Sequence, residues 1–290
     1  MQNMYDLIRS NPQFHKLQIG DLLFAQYNCP IKEAKESIWI HVDCLVHVIS
    51  GIKTWHTADS SWTARPGETL YFRKGASVVE QDFNDDFCLL IFYVPDALIR
   101  CTARELAGEL PPAPSVKEPM KSVVRVKSDV VLSAFFKSMH AYFSGQERIS
   151  EALLRLKAKE LVTSLLLSGR NPEIAHYFRS FIDRDAPPLD EIMEANFRFN
   201  LSLQEFAKLC HRSLSSFKRD FRDLFRTTPS HWLLQKRLDH AAALFRRTKM
   251  NVTEILFESG FKDASHFSRV FRERFGMAPN HFRKGADGAE

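Results

Sequence analysis

The sequence has few of the residue patterns that cross-link a chain or anchor it in a membrane. Its five cysteines are odd in number, widely separated and never in a Cys-x-x-Cys pair, which argues against a disulfide framework and a thiolate zinc site. Apolar runs are short: Cys88–Val94 has seven residues, whereas a membrane-spanning helix needs about 20. No basic-then-apolar signal pattern opens the chain. We therefore expect a cytoplasmic protein without a membrane segment.

The front of the sequence also lacks a complete set of metal ligands. His15, His41, His47 and His56 lie in or near predicted strands, but no His-x-His pair is followed by Glu and a later His. His41 and His47 are six residues apart and would share one face of a regular strand, yet no third ligand can be named. We predict no metal and no other cofactor.

Excess positive charge is confined to the last third of the chain. The whole chain has 40 basic and 35 acidic residues. Residues 189–290 contain 18 Lys and Arg against 13 Asp and Glu, whereas residues 1–188 contain 22 of each class. A polyanionic partner is therefore expected at the C-terminal end and not at the front. The 44% of hydrophobic residues can fill real cores, which excludes wholesale disorder.

The first hundred residues predict short strands separated by turns. The segments rich in Val, Ile, Phe, Tyr and Trp are Asp21–Tyr27, Ser37–Ser50, Ile52–His56, Glu68–Arg73, Ser77–Asp82 and Phe87–Val94. Strands spaced by about ten residues favour an antiparallel barrel or sandwich. The proline-rich stretch Pro111–Pro119 predicts a linker, because proline supports neither a helix nor a sheet ladder. Helical spacing then follows in Val130–Tyr142 and Ser150–Leu167.

From residue 189 onward, the sequence predicts about seven short helices broken by turns. Two stretches, Leu203–Phe221 and Val252–Phe271, repeat one layout: a short apolar helix, a turn and a second helix. This is the layout of a helix-turn-helix unit. The second helices have apolar stripes that predict a buried face, formed by Phe217, Phe221, Leu224 and Phe225 in one unit and Phe267, Phe271 and Phe275 in the other.

The faces opposite these stripes are basic and polar. One such helix is usually only a solvated surface. Two of them, fifty residues apart in the only net-positive region, favour binding to nucleic acid, because Arg, Lys and Ser can donate to base edges and phosphates.

The region Leu189–Lys284 resembles the DNA-binding domain of the AraC/XylS family of bacterial transcription regulators. The second unit matches the family signature at Ile255, Gly260, Phe261, Ser265, Phe267, Arg269, Phe271, Phe275, Gly276, Pro279, Phe282 and Arg283. The first unit matches it at Ala207, Ser213, Phe217, Arg219, Phe221 and Pro229. Two residues depart from the pattern. His211 stands where the first turn usually has Gly, and Leu256 replaces a small Ala.

The resemblance implies that each second helix enters one of two successive major-groove segments. By matching positions, the residues expected to read bases are Ser215, Lys218 and Arg219 in the first unit and Ala264, Ser265, His266, Ser268 and Arg269 in the second. Those expected to contact phosphates are Arg222, Lys262 and Arg272.

The front domain has a resemblance of its own. The run Ala64–Gly75, with its Pro-Gly-Glu turn, resembles part of a cupin-type barrel, which in the AraC family often senses a ligand. The helices after the barrel often supply the dimer contact, which implies a dimerisation role for Leu153, Leu156, Leu161 and Leu165. Packing of these leucines onto the barrel is an equal alternative. The stretch Gly67–Val79 is also similar to the front domains of type III secretion activators, which answer to protein partners.

We therefore predict a multidomain α+β protein. Its expected domains are residues 1–110, a cupin-like antiparallel barrel with a sensor role; residues 120–184, a helical linker and dimerisation segment; and residues 188–286, an all-α DNA-binding domain with two helix-turn-helix units. The expected function is sequence-specific transcription regulation, as an activator and not an enzyme. The expected partners are double-stranded DNA, RNA polymerase, a small-molecule effector or regulatory protein, and a second copy of the chain.

Two alternatives from other classes are weaker. A cupin-type metal enzyme with a helical appendage would need three or four ligands in the barrel, and the sequence does not supply them. An interaction module with basic helices for an acidic partner would leave the duplicated helix-turn-helix pattern unexplained.

Overall fold

The chain forms two compact units, Met1–Ala186 and Pro187–Glu290. The computed structural model describes residues 1–28, 34–81, 87–110, 120–145 and 149–287. The linker predicted at Pro111–Pro119 lies outside these residues. Within them, no helix is long and apolar enough to cross a membrane.

The first unit combines strands with peripheral helices. In chain order its elements are β1 (Gln2–Asn3), α1 (Met4–Ser10), β2 (His15–Ile19), β3 (Leu22–Asn28), β4 (Lys35–Ile40), β5 (Asp43–Ser50), β6 (Lys53–His56), β7 (Ser61–Ala64), β8 (Thr69–Phe72), β9 (Gly75–Gln81), β10 (Cys88–Val94), α2 (Asp96–Glu105), β11 (Val123–Val126), α3 (Val130–Ser144), α4 (Glu151–Leu167) and α5 (Pro172–Arg179). The sequence analysis did not predict β1, α1, β2, β7, α2, β11 or α5.

The strands form two sheets. One has the order β1-β4-β9-β6-β7 and the other β11-β8-β5-β10-β3-β2. All pairs are antiparallel except β1 with β4, which is parallel. The predicted cupin-like barrel is therefore not closed: among the described strands, no pairing joins the two sheets.

The separation of the sheets arises where one predicted strand is in fact two. The segment Ser37–Ser50 breaks at His41-Val42, and β4 and β5 on either side belong to different sheets. The apolar run hides this corner, because both halves are rich in residues that favour strands. His41 and His47 consequently do not share one strand face.

The six-stranded sheet buries both of its faces. Phe24 and Phe92 are paired across β3 and β10, and their rings lie 4.9 Å apart in a core shared with α2–α5. Their neighbours Leu23 and Tyr93 point the other way, into the core between the two sheets. The alternation follows from the two-residue period of a strand. Two buried faces explain why these strands are almost continuously apolar.

Helix α4 does not present the predicted leucines as one outward face. Leu161 and Leu165 are 0% and 1% exposed, within the core between α2–α5 and the sheet. Leu153 is half-buried, and Leu156 is 63% exposed. A dimer contact through all four leucines is therefore excluded, because Leu161 and Leu165 pack within their own unit. The prediction grouped leucines from different faces of one helix.

A buried ionic cluster connects α2 to the six-stranded sheet. The Lys74 ammonium pairs with the Asp96 carboxylate. The backbone N–H of Lys74 donates to Asp43 Oδ1 at 2.7 Å. The Tyr71 hydroxyl donates to Asp43 Oδ2 at 2.6 Å. Burial and the neighbouring Asp43 raise the pKa of Tyr71 well above its ordinary value. Removal of one partner would leave a buried charge without compensation.

The second unit is helical, as predicted. Its helices are α6 (Leu189–Asn196), α7 (Leu203–Leu209), α8 (Leu214–Phe225), α9 (Pro229–Arg247), α10 (Val252–Glu258), α11 (Ala264–Phe275) and α12 (Pro279–Asp287). A capping box formed by Ser202 and Glu205 starts α7. An equivalent box, formed by Asn251 and Glu254, starts α10.

Candidate nucleic-acid interface

Two helix pairs, α7–α8 and α10–α11, share one local design. Each first helix starts with a reciprocal capping box, in which a Glu side chain accepts from the N-cap backbone N–H and the N-cap side chain accepts from the Glu backbone N–H. Each second helix is capped by a side chain, from Ser213 in α8 and from Asp263 in α11. These bonds satisfy backbone donors that a helix start otherwise leaves open.

The turns between the paired helices also correspond. His211 has φ 53° and Gly260 has φ 81°. The backbone N–H of the residue after each one donates to a carbonyl oxygen of the first helix of the same pair. Arg212 N donates to Ala207 O at 2.9 Å, and Phe261 N donates to Leu256 O at 3.1 Å. His211 therefore adopts the left-handed conformation that the family pattern gives to glycine.

Aromatic residues anchor both second helices. Phe217 and Phe221 of α8 and Phe267 and Phe271 of α11 are all fully buried. The Phe221 ring contacts Trp232 of α9 at a centroid distance of 5.9 Å, and the Phe271 ring contacts Phe245 at 5.5 Å at the other end of that helix. Helix α9 therefore supports both pairs.

One residue of the predicted stripe does not belong to it. Leu224 is 55% exposed, whereas Phe217, Phe221 and Phe225 face inward or lie half-buried. The packing follows an i, i+4, i+8 row, and Leu224 lies beside it. An apolar residue at the edge of a stripe is not assigned to either face by spacing alone.

All of the predicted DNA-contact residues are exposed on the described surface. They are Ser215, Lys218, Arg219 and Arg222 of α8; Lys262 of the second turn; and Ala264, Ser265, His266, Ser268, Arg269 and Arg272 of α11. A groove of about 600 Å³ runs beside α11 and is lined by Ser268, Arg269, Arg272, Glu273 and Ala278. The aromatic face and the polar face of each helix are thus separated as predicted.

Two other arginines of this unit, Arg237 and Arg283, form hydrogen bonds to backbone oxygens within the fold. Arg237 Nε donates to Phe197 O at 2.7 Å, and burial lowers its pKa. Arg283, a residue of the family signature, donates to the carbonyl oxygens of Phe245 and Thr248 at 3.0 and 2.7 Å. These guanidinium groups satisfy backbone acceptors at helix ends and in loops, so the net charge overstates the cations available to a polyanion.

The sequence analysis missed Asp220, Arg212 and Ser216, which lie beside the predicted base-reading residue Arg219. Asp220 accepts hydrogen bonds from Arg212, Ser216 and Arg219. Burial raises the pKa of Asp220, but the hydrogen bonds from Arg219, Arg212 and Ser216 outweigh it, so that the pKa lies below its ordinary value. A carboxylate one position after an expected base-reading Arg could have indicated this contact.

The described part of the first unit offers no metal centre. No group of three or more His, Cys, Asp or Glu side chains there, or elsewhere among the described residues, could hold a metal ion. His41 Nδ1 lies 3.1 Å from Asn3 Nδ2. His47 Nδ1 lies 2.9 Å from Thr69 Oγ1, and its ring stacks on Phe136. These histidines serve packing and local hydrogen bonding.

Comparison with known proteins identifies the family. An ExsA N-terminal regulatory domain matches residues 43–177, and a helix-turn-helix domain matches residues 206–285. The HTH-type transcriptional regulator ExsA of Pseudomonas aeruginosa is 24% identical over 83% of this chain and 85% of its own length. The virulence regulon transcriptional activator VirF of Yersinia enterocolitica is 23% identical over 83% of this chain and 89% of its own. The chain belongs to the AraC/XylS family.

Membership of the AraC/XylS family decides the class of activity. The chain is a DNA-binding transcription regulator with an N-terminal regulatory domain, and it is not an enzyme. The N-terminal match also confirms the narrower resemblance to type III secretion activators of the family. A solved structure of ToxT from Vibrio cholerae aligns with 90% of this chain and 97% of its own, with 14% identity and a TM-score of 0.41.

Proposed function

We propose that this AraC-type regulator activates transcription by reading two successive major-groove segments of duplex DNA with α8 and α11. The observation that supports this proposal is the duplicated design, in which an aromatic face packs on α9 and a polar, basic face is exposed. Because α9 contacts both second helices, one protomer can present two reading helices to the same duplex.

The exposed side chains divide by chemistry. Arginine, lysine, serine and histidine can donate to base edges in the major groove, and we assign this role to Ser215, Lys218, Arg219, Ser265, His266, Ser268 and Arg269, with Ala264 providing apolar contact. We assign phosphate contacts to Arg222, Lys262 and Arg272. Phosphate contacts position the protein, whereas base contacts specify the sequence.

The first unit is the proposed regulatory part. Its match to an ExsA N-terminal regulatory domain supports control by a protein partner or a small-molecule effector. We propose a sensor region at residues 1–110, a helical segment at 120–184 and a DNA-binding domain at 188–286, acting in the cytoplasm on RNA polymerase. Any homodimer through α4 would have to use its exposed side, where Leu156 lies.

The experiment that tests this function is selection of bound sequences from random duplex DNA by the full-length protein, at two salt concentrations. We expect an enriched motif of two short blocks about 10 bp apart, because successive major-groove segments on one face recur at that spacing. Direct repeats of this motif would support two protomers.

Weak, salt-sensitive binding without an enriched motif would contradict sequence-specific recognition of DNA by the full-length protein in the absence of an effector or partner. Repetition of the selection with residues 189–290 would then distinguish two causes. A motif found only with this fragment would show that the first unit holds the reading helices inactive. No motif in either case would overturn sequence-specific binding.

A further inference from the structure

Asp220 lies at the centre of a hydrogen-bond network on α8. We infer that Asp220 is a positioning residue, which fixes the direction of the Arg219 guanidinium and thereby the base preference of the first reading helix. The inference rests on the proposed function, because it concerns how one of the two helices discriminates bases.

The network is closed and its donors and acceptors match. Arg219 Nε donates to Asp220 Oδ1 at 3.2 Å, and Arg219 Nη2 lies 3.1 Å from the same oxygen. Arg219 Nη2 also donates to Ser216 Oγ at 3.3 Å, and that hydroxyl donates to Asp220 Oδ2 at 3.2 Å. Ser216 therefore accepts from the arginine and donates to the carboxylate, as a hydroxyl can.

A second arginine holds the carboxylate from the turn side. Arg212 Nε donates to Asp220 Oδ2 at 3.0 Å, and Arg212 Nη1 donates to the carbonyl oxygens of Cys210 and Pro187 at 3.0 and 3.2 Å. The Arg212 side chain is 22% exposed and that of Asp220 is 31% exposed. Arg212 is itself bonded to the backbone, so it holds the Asp220 carboxylate independently of Arg219.

The reading arginine itself remains accessible. The Arg219 side chain is 71% exposed. Its contacts use Nε and Nη2, whereas a guanidinium has five N–H donors, two of them on Nη1. The two Nη1 donors can still reach a base edge. A long arginine side chain loses considerable conformational entropy when it is ordered, so an arginine held in advance binds its base with less loss.

The second reading helix lacks this arrangement. Val270 occupies the position after Arg269 and is buried in the core under α11. Arg269 pairs instead with Glu273 one turn later, at 2.9 Å, and both side chains are at least 60% exposed. Within the described residues, Glu273 has no second hydrogen-bonding partner, whereas Asp220 is also held by Arg212 and Ser216, so the pair of Arg269 restrains its arginine more weakly. The network around Asp220 thus predicts an effect on only one of the two blocks of the DNA site.

The test compares Asp220→Asn with Asp223→Asn in the full-length protein. Asp223 is exposed on the same helix, and among the described residues it forms no ion pair. Both variants remove one negative charge, so both should raise salt-sensitive binding to a similar extent. Affinity is measured for the selected duplex and for duplexes with single base-pair changes in each block. Arg219→Ala identifies the base pairs that depend on the arginine.

Discrimination is the ratio of the affinity for the selected duplex to the affinity for a duplex with one base pair changed. At the base pairs that depend on Arg219, we expect Asp220→Asn to reduce this ratio by about fivefold, which is part of the discrimination that one good arginine contact supplies. Discrimination in the other block should remain unchanged, and Asp223→Asn should change neither block. In an Arg219→Ala background, Asp220→Asn should have no further effect on base preference. A merely structural role would persist in that background, and so this outcome separates positioning from folding.

Several results would overturn the inference alone. They are wild-type discrimination in Asp220→Asn, an equal loss in Asp223→Asn, or a loss that persists without Arg219. If Asp220→Asn fails to fold, Ser216→Ala removes one link without a change in charge, and it should reduce discrimination at the same base pairs. A wild-type protein that selects no DNA sequence would instead overturn the proposed function together with the inference.

Discussion

At the scale of single residues, the second turn depends on Gly260. A Cβ atom at this position would lie 2.5 Å from the backbone oxygen of Arg198 and 3.0 Å from Arg237 Nε, at a φ of +81°. Gly260→Ala therefore combines backbone strain with a clash against backbone, and we expect it to lower the free energy of unfolding by about 1–3 kcal/mol.

Urea denaturation would measure this loss, and Gly276→Ala is its matched control. Gly276 has a similar φ of +76°, but nothing lies within 4 Å of the added Cβ. We expect a smaller loss in the control, since only the backbone strain applies. Equal losses in the two variants would contradict the close approach at Gly260.

We expect His47 to make the stability of the first unit depend on pH. Burial, followed by repulsion from His140, lowers its pKa to about 4 from an ordinary 6.5. As the pH falls, the His47 ring is protonated in the unfolded chain before it is protonated in the folded protein. The stability that the neutral ring contributes above pH 6.5 is therefore lost as the pH falls toward 4. His47→Gln should reduce the loss between pH 7 and pH 5 by about 1 kcal/mol, measured by denaturation at each pH. An unchanged pH dependence in the variant would contradict the burial of a neutral ring.

At the scale of elements, α4 separates two roles that its sequence did not distinguish. Leu161 is fully buried and Leu156 is 63% exposed. Leu161→Ala should cost about 2–5 kcal/mol, because it removes buried methyl groups and leaves a cavity. Leu156→Ala should leave the thermal midpoint of the first unit nearly unchanged. Similar midpoints in both variants would show that the helix packs through another face.

The capping boxes are a second property of elements. Ser202 accepts from Glu205 N at 3.2 Å, and its own backbone N–H donates to Glu205 Oε2 at 2.6 Å. We expect Ser202→Ala to cost about 1 kcal/mol of stability, measured by urea denaturation. Ser230→Ala is the control, since this exposed serine lies inside the first turn of α9, whose N-cap is Thr228. A cost as large in the control would argue against a specific capping effect.

At the scale of the whole molecule, binding should depend on salt through a few exposed cations. Arg272→Ala removes an expected phosphate contact, and it should reduce the slope of log affinity against log salt by about 1. Arg170→Ala removes the same charge from the exposed surface of the first unit and should leave that slope unchanged. The slopes are determined by titration at several salt concentrations. Equal slopes in both variants would contradict a phosphate contact by Arg272.

Part of this architecture could be predicted because it depends on local rules. Helices α6–α12 follow from apolar spacing, N-cap residues and prolines, all of which act within a few residues. The exposure of Arg219 and Arg269 follows from the aromatic rows beside them. The β4–β5 corner could not be predicted, because strand propensity does not report which sheet a strand joins. Asp220 was missed since spacing identifies a face but not the partners of a side chain.

The sequence by itself determined the helical second unit, its duplicated design and the polar surface that suits DNA, because these arise from periodicity and capping along the chain. The tertiary structure alone decided which leucines of α4 are buried and that the strands form two sheets. It also decided that Arg237 and Arg283 bind backbone oxygens, while Arg219 is held by a carboxylate. These outcomes depend on contacts between residues far apart in the chain or on side-chain direction, which no local pattern specifies.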